Sequence, residues 1–221
     1  MKQIILSDEI RRAAPGLRVI HIEADVVNSP TGEELWSRIE SLGEELRGIM
    51  EIPDIAKRPG IAATRAAYKA CGKDPNRYRP SQEALNRRVL QGKGLYRIST
   101  LVDVVNLLSL WSGYSIGGFD ADLIDGDTLT LGIGRHEEPY KGIGRGELNI
   151  EFLPVYRDAT GGIGTPTSDN ERTMINDSTR RLLMTVNVYG EEVSDEDFIA
   201  QTESLLTKYA GARNIEIETV V

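Results

Sequence analysis

The 221-residue chain carries 26 Lys and Arg against 34 Asp and Glu, a net charge of −8, and 40% of its residues are hydrophobic. That balance excludes collagen-like, coiled-coil and intrinsically disordered chains, and the length suits one large domain or two small ones. No window approaches the roughly eighteen apolar residues of a membrane span, and Asp8 and Glu9 stand where a signal peptide would be apolar, so a cytoplasmic protein with no membrane partner is expected.

Cys71 is the only cysteine, which rules out a disulfide framework. With His21 and His136 as the only histidines, no metal site, no Ser-His-Asp hydrolase and no cofactor are expected.

In chain order, Leu17 to Val27 (LRVIHIEADVV) reads as a strand, with His21 alternating with Val19 and Glu23 and expected at the surface. Thr31 and Glu34 form a capping box for a helix whose stripe is Leu35, Ile39, Leu42, Leu46 and Ile49. Pro53, Pro59 and Pro75 punctuate the next stretch, leaving a short helix from Ile61 to Cys71. Ser81 is expected to cap a helix ending near Gly92 and Gly94, and the helix after Ser99 is apolar nearly all round, which suits the middle of a domain.

From Asp127 to about Tyr189, the runs TLTLGI, LNIEFLPVY and RLLMTVNVY, separated by glycine clusters, predict a meandering sheet. Ser194 and Asp197 open a last helix that Gly211 ends, and Asn214 to Val221 alternates as a final strand. Strands and helices do not strictly alternate. The expected fold is therefore α+β, a mixed or antiparallel sheet packed against several helices, with residues 1–221 as a single domain.

The charge is uneven. Between Lys57 and Arg97 eleven basic residues face only Asp74 and Glu83, and Tyr68, Tyr78 and Tyr96 lie among them. Such a segment is either a face that attracts a polyanion, with tyrosines to stack on bases, or a set of solvated helix faces whose arginines neutralise acidic neighbours. No phosphate loop is present: Gly142-Ile-Gly144-Arg-Gly146-Glu147 lacks the last glycine of the dinucleotide fingerprint, and no GxxxxGK[ST] occurs.

Ser99, Asp103 and Asn106 sit at steps of four and three on the apolar helix and are expected on one side of it. Either they line a pocket for a polar group, or Asp103 pairs with Arg97 or Arg88 and Asn106 ties down a loop. The run from Thr165 to Thr173 gathers Asp169, Glu171, Arg172 and Thr173 between two strand-like segments, as a binding loop or a plain turn would.

Arg79-Pro80-Ser81-Gln82-Glu83-Ala84-Leu85-Asn86-Arg87-Arg88-Val89-Leu90, Gly94 to Ser99, Leu101-Val102-Asp103-Val104-Val105-Asn106 and Gly118-Phe119-Asp120-Ala121-Asp122 resemble the tRNA-binding and editing domain of the phenylalanyl-tRNA synthetase beta subunit, in its free-standing form. The resemblance spans residues 61–190. It implies an α+β editing-domain-like fold whose pocket hydrolyses mischarged aminoacyl-tRNA in trans, with no aminoacylation core and with tRNA or aminoacyl-tRNA as partner.

Carried over by position, the family's pocket asparagine falls on Asn106, its neighbouring threonine on Val105, its histidine on Gly117 and its glutamate near Thr185. Arg79, Arg87, Arg88, Lys93 and Arg97 would hold phosphates. Because three of the four polar pocket positions differ, a non-catalytic pocket for a free amino acid or related metabolite stands as the alternative.

Overall fold

A computed structural model describes residues 1–221. Its ten strands form two four-stranded sheets and a small ribbon, packed with six α-helices. The elements are β1 (Gln3–Leu6), α1 (Asp8–Ala13), β2 (Arg18–Asp25), α2 (Glu33–Ile49), α3 (Pro59–Cys71), α4 (Ser81–Leu90), α5 (Thr100–Ser112) and β3 (Ser115–Asp120). After them come β4 (Thr128–Ile133), β5 (Lys141–Gly142), β6 (Gly146–Glu147), β7 (Pro154–Arg157), β8 (Gly162–Gly164), β9 (Arg181–Val188), α6 (Asp195–Ala210) and β10 (Arg213–Val220).

One sheet runs β10-β2-β9-β3, antiparallel throughout. Alternation along its strands gives it two apolar faces. Ile20 and Ile22 of β2, with Met184 and Val186 of β9, pack on Leu101, Val104 and Leu108 of α5 and on Phe198 and Leu205 of α6. Val19, Leu183 and Phe119 face the other way and meet Leu129, Leu131 and Tyr156 of the second sheet, β1-β4-β7-β8. The α+β expectation holds, with helices on one side of a sheet and a second sheet on the other.

Four local expectations are corrected. His21 is fully buried between the sheets, its Nε2 3.2 Å from Glu23 Oε1, because β2 has neighbours on both edges and both faces. The capping box at Thr31 does not form: Gly32 occupies the cap position with no side-chain bond, and the Thr31 hydroxyl donates instead to Asp103. Ser81 is the first residue of α4 rather than its cap, and its N–H donates to the Pro166 carbonyl at 2.7 Å. The glycine-rich meander keeps β4, β7 and β8 as neighbours, but β9, buried on both faces, leaves for the centre of the other sheet.

Ser194 caps α6 as expected, accepting from the Asp197 N–H at 3.1 Å, and Gly211 ends it at φ +57. The sequence pattern missed β1, four residues paired in parallel with β4. No helix is long and apolar enough to cross a membrane.

Buried Arg58 joins the helical layer. It donates to Glu192 at 2.6 Å, to Asn86 at 2.8 Å, and to the Leu110 and Trp111 carbonyls that end α5 at 2.8 and 2.7 Å. It thereby satisfies helix-end acceptors that would otherwise be unpaired.

Candidate functional site

β3 is an edge strand, so one row of its backbone groups has no strand partner. The segment from Thr165 to Met174 runs past that edge, with a single bridge between Phe119 and Met174. Between this segment, α5 and the start of α4 lies a cavity of about 640 Å³. Val105 and Asn106 of α5, Ile116 and Gly118 of β3, and Ser81 and Leu85 of α4 form its walls, with Thr165, Thr167, Ser168 and Asp169 across from them. Arg145, from the turn between β5 and β6, and Tyr96 and Ile98, from the segment leading into α5, complete it.

The loop is held from below. Tyr68 Oη and Thr167 Oγ1 are 2.9 Å apart, Tyr140 donates to the Ser168 carbonyl at 2.7 Å, and Thr165 Oγ1 accepts from the Thr167 and Ser168 N–H groups at 3.2 and 3.1 Å. Backbone pairing of Asp169 with Gly164 and of Asn170 with Gly142 fixes the segment that follows. Gly164 is required here: a Cβ would lie 2.6 Å from the Phe119 ring and 3.0 Å from Asp169 Oδ1.

Asp169 is the chemically distinctive group. Its carboxylate accepts from the Gly118 N–H at 3.3 Å and forms no ion pair. Loss of water around it, opposed only by that one hydrogen bond, pushes its pKa up to about 7. It is thus half ionised near neutrality, in a cavity that also presents an amide, hydroxyls and a guanidinium.

The other expected site residues are placed elsewhere. Ser99 accepts from Asn28 Nδ2 at 3.3 Å, and Asp103 accepts from Thr31 and from the Ile98 N–H at 3.2 Å. Both are buried at the entry to α5 and do not share the cavity with Asn106, because α5 turns its first coil toward the loop around Thr31. Asp103 pairs with neither Arg97 nor Arg88. Gly117 and Thr185 lie opposite one another in the sheet, on the face toward the second sheet, away from the cavity. Glu171 pairs with Lys141 at 2.8 Å, Arg172 grips Asp158 through two bonds of 2.9 and 2.8 Å, and Thr173 is fully buried.

Of the nine pocket candidates, Asn106 and Asp169 therefore border the cavity. Gly118, Arg145 and the hydroxyls of Thr165, Thr167 and Ser168 were not singled out by the sequence. The Thr-Pro-Thr-Ser-Asp run was the only signal for the last three.

The basic segment is partly consumed inside the fold. Lys57 pairs with Asp54, Arg58 with Glu192, Arg65 and Arg79 with Glu83, and Arg97 with Glu33, while Lys73 caps the carbonyls of Asn149 and Glu151. Arg87, Arg88 and Lys93 enter no ion pair, and Arg88 lies over the Tyr96 ring at 3.8 Å. Of the expected phosphate holders, Arg79 and Arg97 are engaged and the other three are free.

Two other features carry less chemistry. A hollow of about 540 Å³ beside β4 is lined by Arg157 and Asp158, which pair with Glu138 and Arg172, and by Glu9, Asp127 and Arg135, which enter no ion pair. Cys71 is buried, which pushes its thiol up to about 11 and leaves it a poor nucleophile.

The fold is similar to that of part of the phenylalanyl-tRNA synthetase beta subunit. A crystal structure of an N-terminal fragment of that subunit from Pyrococcus horikoshii superposes with a TM-score of 0.50 at 12% identity, over 99% of this chain and 54% of that one. This chain thus spans about half the length of that fragment. The model of the B3/4 domain, found in the synthetase beta subunit, matches residues 63–205, and the chain belongs to that family. No curated protein matches it.

Proposed function

We propose that the cavity receives the aminoacyl end of a mischarged tRNA and hydrolyses its ester in trans, with Asp169 as general base. The observation that carries this reading is the unpaired Asp169 carboxylate, held near pKa 7 at the cavity wall. A general base works best when its pKa lies near the working pH.

Asp169 takes a proton from a water, the resulting hydroxide attacks the ester carbonyl, and the tetrahedral intermediate collapses with departure of the ribose hydroxyl, which takes up the proton. Asn106 and Arg145 border the same cavity and are the available donors for the developing oxyanion. No histidine borders it, and Asp169 is the one carboxylate that does.

A second reading, a non-catalytic pocket for a free amino acid, draws on the absence from the cavity of both positions where the family's histidine and glutamate would fall, Gly117 and Thr185. The placement of the basic segment favours the first. Ser81, Leu85 and Tyr96 of that segment line the cavity itself, and the unpaired cation Arg88 lies over Tyr96 beside its mouth, while Arg87 faces a separate hollow next to Ile52 and Pro53.

The test is amino-acid release from a panel of mischarged tRNAs, with the parent and Asp169→Asn side by side. Release that falls on the order of a hundredfold or more in the variant is expected. Absence of release from every tRNA, together with saturable binding of a free amino acid, would establish the second reading.

A further inference from the structure

Four large apolar side chains that border the cavity are exposed to water: Tyr96 at 66%, Ile98 at 61%, Ile143 at 43% and Met174 at 39%. A folded protein seldom gathers several such residues around one concavity unless a ligand covers them. Among them Tyr96 is the only aromatic, and it is not free to swing. The Arg88 guanidinium lies 3.8 Å from its ring centroid, and Arg88 Nε is buried without a hydrogen-bond partner. The cation occupies one face of the ring and leaves the other open.

The surroundings specify the class of group that would fill that face. Aliphatic contact alone would suit a peptide, but the cations around this rim lack acidic partners: Arg88 behind the ring and Arg145 on the cavity wall. A flat, polarisable group attached to a phosphate meets both demands, since every nucleobase offers a π-face and its backbone carries the negative charge. Charge complementarity therefore favours a nucleotide over a peptide.

We propose that Tyr96, braced by Arg88, is the stacking platform for the terminal nucleobase of the substrate, while the Asp169 end of the cavity takes the aminoacyl group. The proposal deepens the aminoacyl-tRNA reading and rests on it. Bracing lowers the entropy lost when a base settles on the ring, and it places the base where Arg145 can approach the attached phosphate. The site then recognises an aminoacyl nucleoside as one unit rather than an amino acid alone.

The test uses calorimetric binding of amide-linked 3′-aminoacyl-adenosines bearing tyrosine or leucine, beside the same aminoacyl group on a ribose with no base. The proteins are the parent, Tyr96→Ala and Tyr96→Phe, with unchanged melting temperature as the folding control for this exposed position. For the parent, the adenosine compound is expected to bind about tenfold or more tightly than its base-free counterpart. Tyr96→Ala should remove that advantage and Tyr96→Phe should keep it.

Equal binding of the two compounds by the parent, or an advantage that survives Tyr96→Ala, would overturn the stacking platform and leave the aminoacyl pocket standing. Failure of the parent to bind either compound would sink both. An apolar peptide competing for this rim in place of the nucleoside would likewise overturn the proposal.

Discussion

At the scale of single residues, Asp103 and Asp169, both candidates for a pocket, have different surroundings: Asp103 is tied to Thr31 and Ile98, whereas Asp169 borders the cavity. Asp169 is destabilising where it is ionised. Its folded pKa, about 7, lies above the ordinary aspartate value, so the folded state binds more protons between roughly pH 4 and 7 and loses stability as pH rises through that window. Asp169→Asn, which keeps an acceptor for the Gly118 N–H, should therefore raise the melting temperature at pH 8 by a few degrees, about 1–2 kcal/mol once solvent at the cavity mouth is allowed for, and gain little at pH 4. Scanning calorimetry at the two pH values checks this, and an equal gain at both would contradict the assigned shift.

If Asp169 is the base, hydrolysis by the parent should fall as pH drops below about 7, and the variant should lose that pH profile as well as its rate. Gly117 sets a different limit. A Cβ there would stand 2.7 Å from the Phe119 ring and 2.9 Å from Thr185 Oγ1. Gly117→His should cost about 3 kcal/mol or more, and pairing it with Thr185→Glu would place both groups between the sheets, not in the cavity. Chemical denaturation reads the cost, and a near-neutral result would mean that Phe119 swings aside.

At the scale of elements, α5 is held at both ends by polar groups. At its start Asp103 accepts from Thr31 and Ile98, and Asp103→Ala should cost about 2–3 kcal/mol by leaving those donors unpaired. Its effect on ligand affinity should be small, which separates a structural aspartate from a binding one. At the far end Arg58→Ala should cost about 3–5 kcal/mol, because Glu192 would be left without its cation.

The helices themselves were legible because a 3.6-residue stripe depends only on local spacing: the apolar run of α5 and the stripe of α2 from Leu35 to Leu46 appear where the sequence puts them, whereas Ile49, expected to end that stripe, is exposed at the last turn of α2. The caps were less so, since a hydroxyl has several possible partners and Thr31 found a carboxylate 72 residues away. Ser99, Asp103 and Asn106 share a spacing but not a surroundings, because what lies beside each turn of α5 is set by loops distant in sequence. The position of Asp169 was visible as a polar run, whereas its isolation from any cation was a property of the folded chain alone.

At the scale of the whole molecule, the balance of free and engaged cations sets how the proposed tRNA partner should bind. With Arg87, Arg88, Lys93 and Arg145 free of ion pairs and most other basic residues of the segment paired, about four phosphate contacts are available. A plot of log affinity against log salt should then have a slope near −3, about half or less of what the full count of basic residues would suggest. Replacing Arg87 and Arg88 together with Ala should flatten it by roughly 1.5 and weaken every tRNA alike. Filter binding across a salt series decides, and a slope that does not change would remove these two residues from the interface.

The order of strands in the central sheet has a consequence in time. β2 is flanked by β9 and β10, so its partners lie up to about 200 residues further along the chain, and such distant pairings are slow to form. During synthesis, Ile20 and Ile22 must wait until residues 181–188 have been made before their strand acquires one neighbour, and until residues 213–220 before it acquires the other. Until then an apolar strand with an open edge is available to other chains. Nascent chains cut short at α6 should consequently depend on chaperones to stay in solution, where the chain carrying β10 does not.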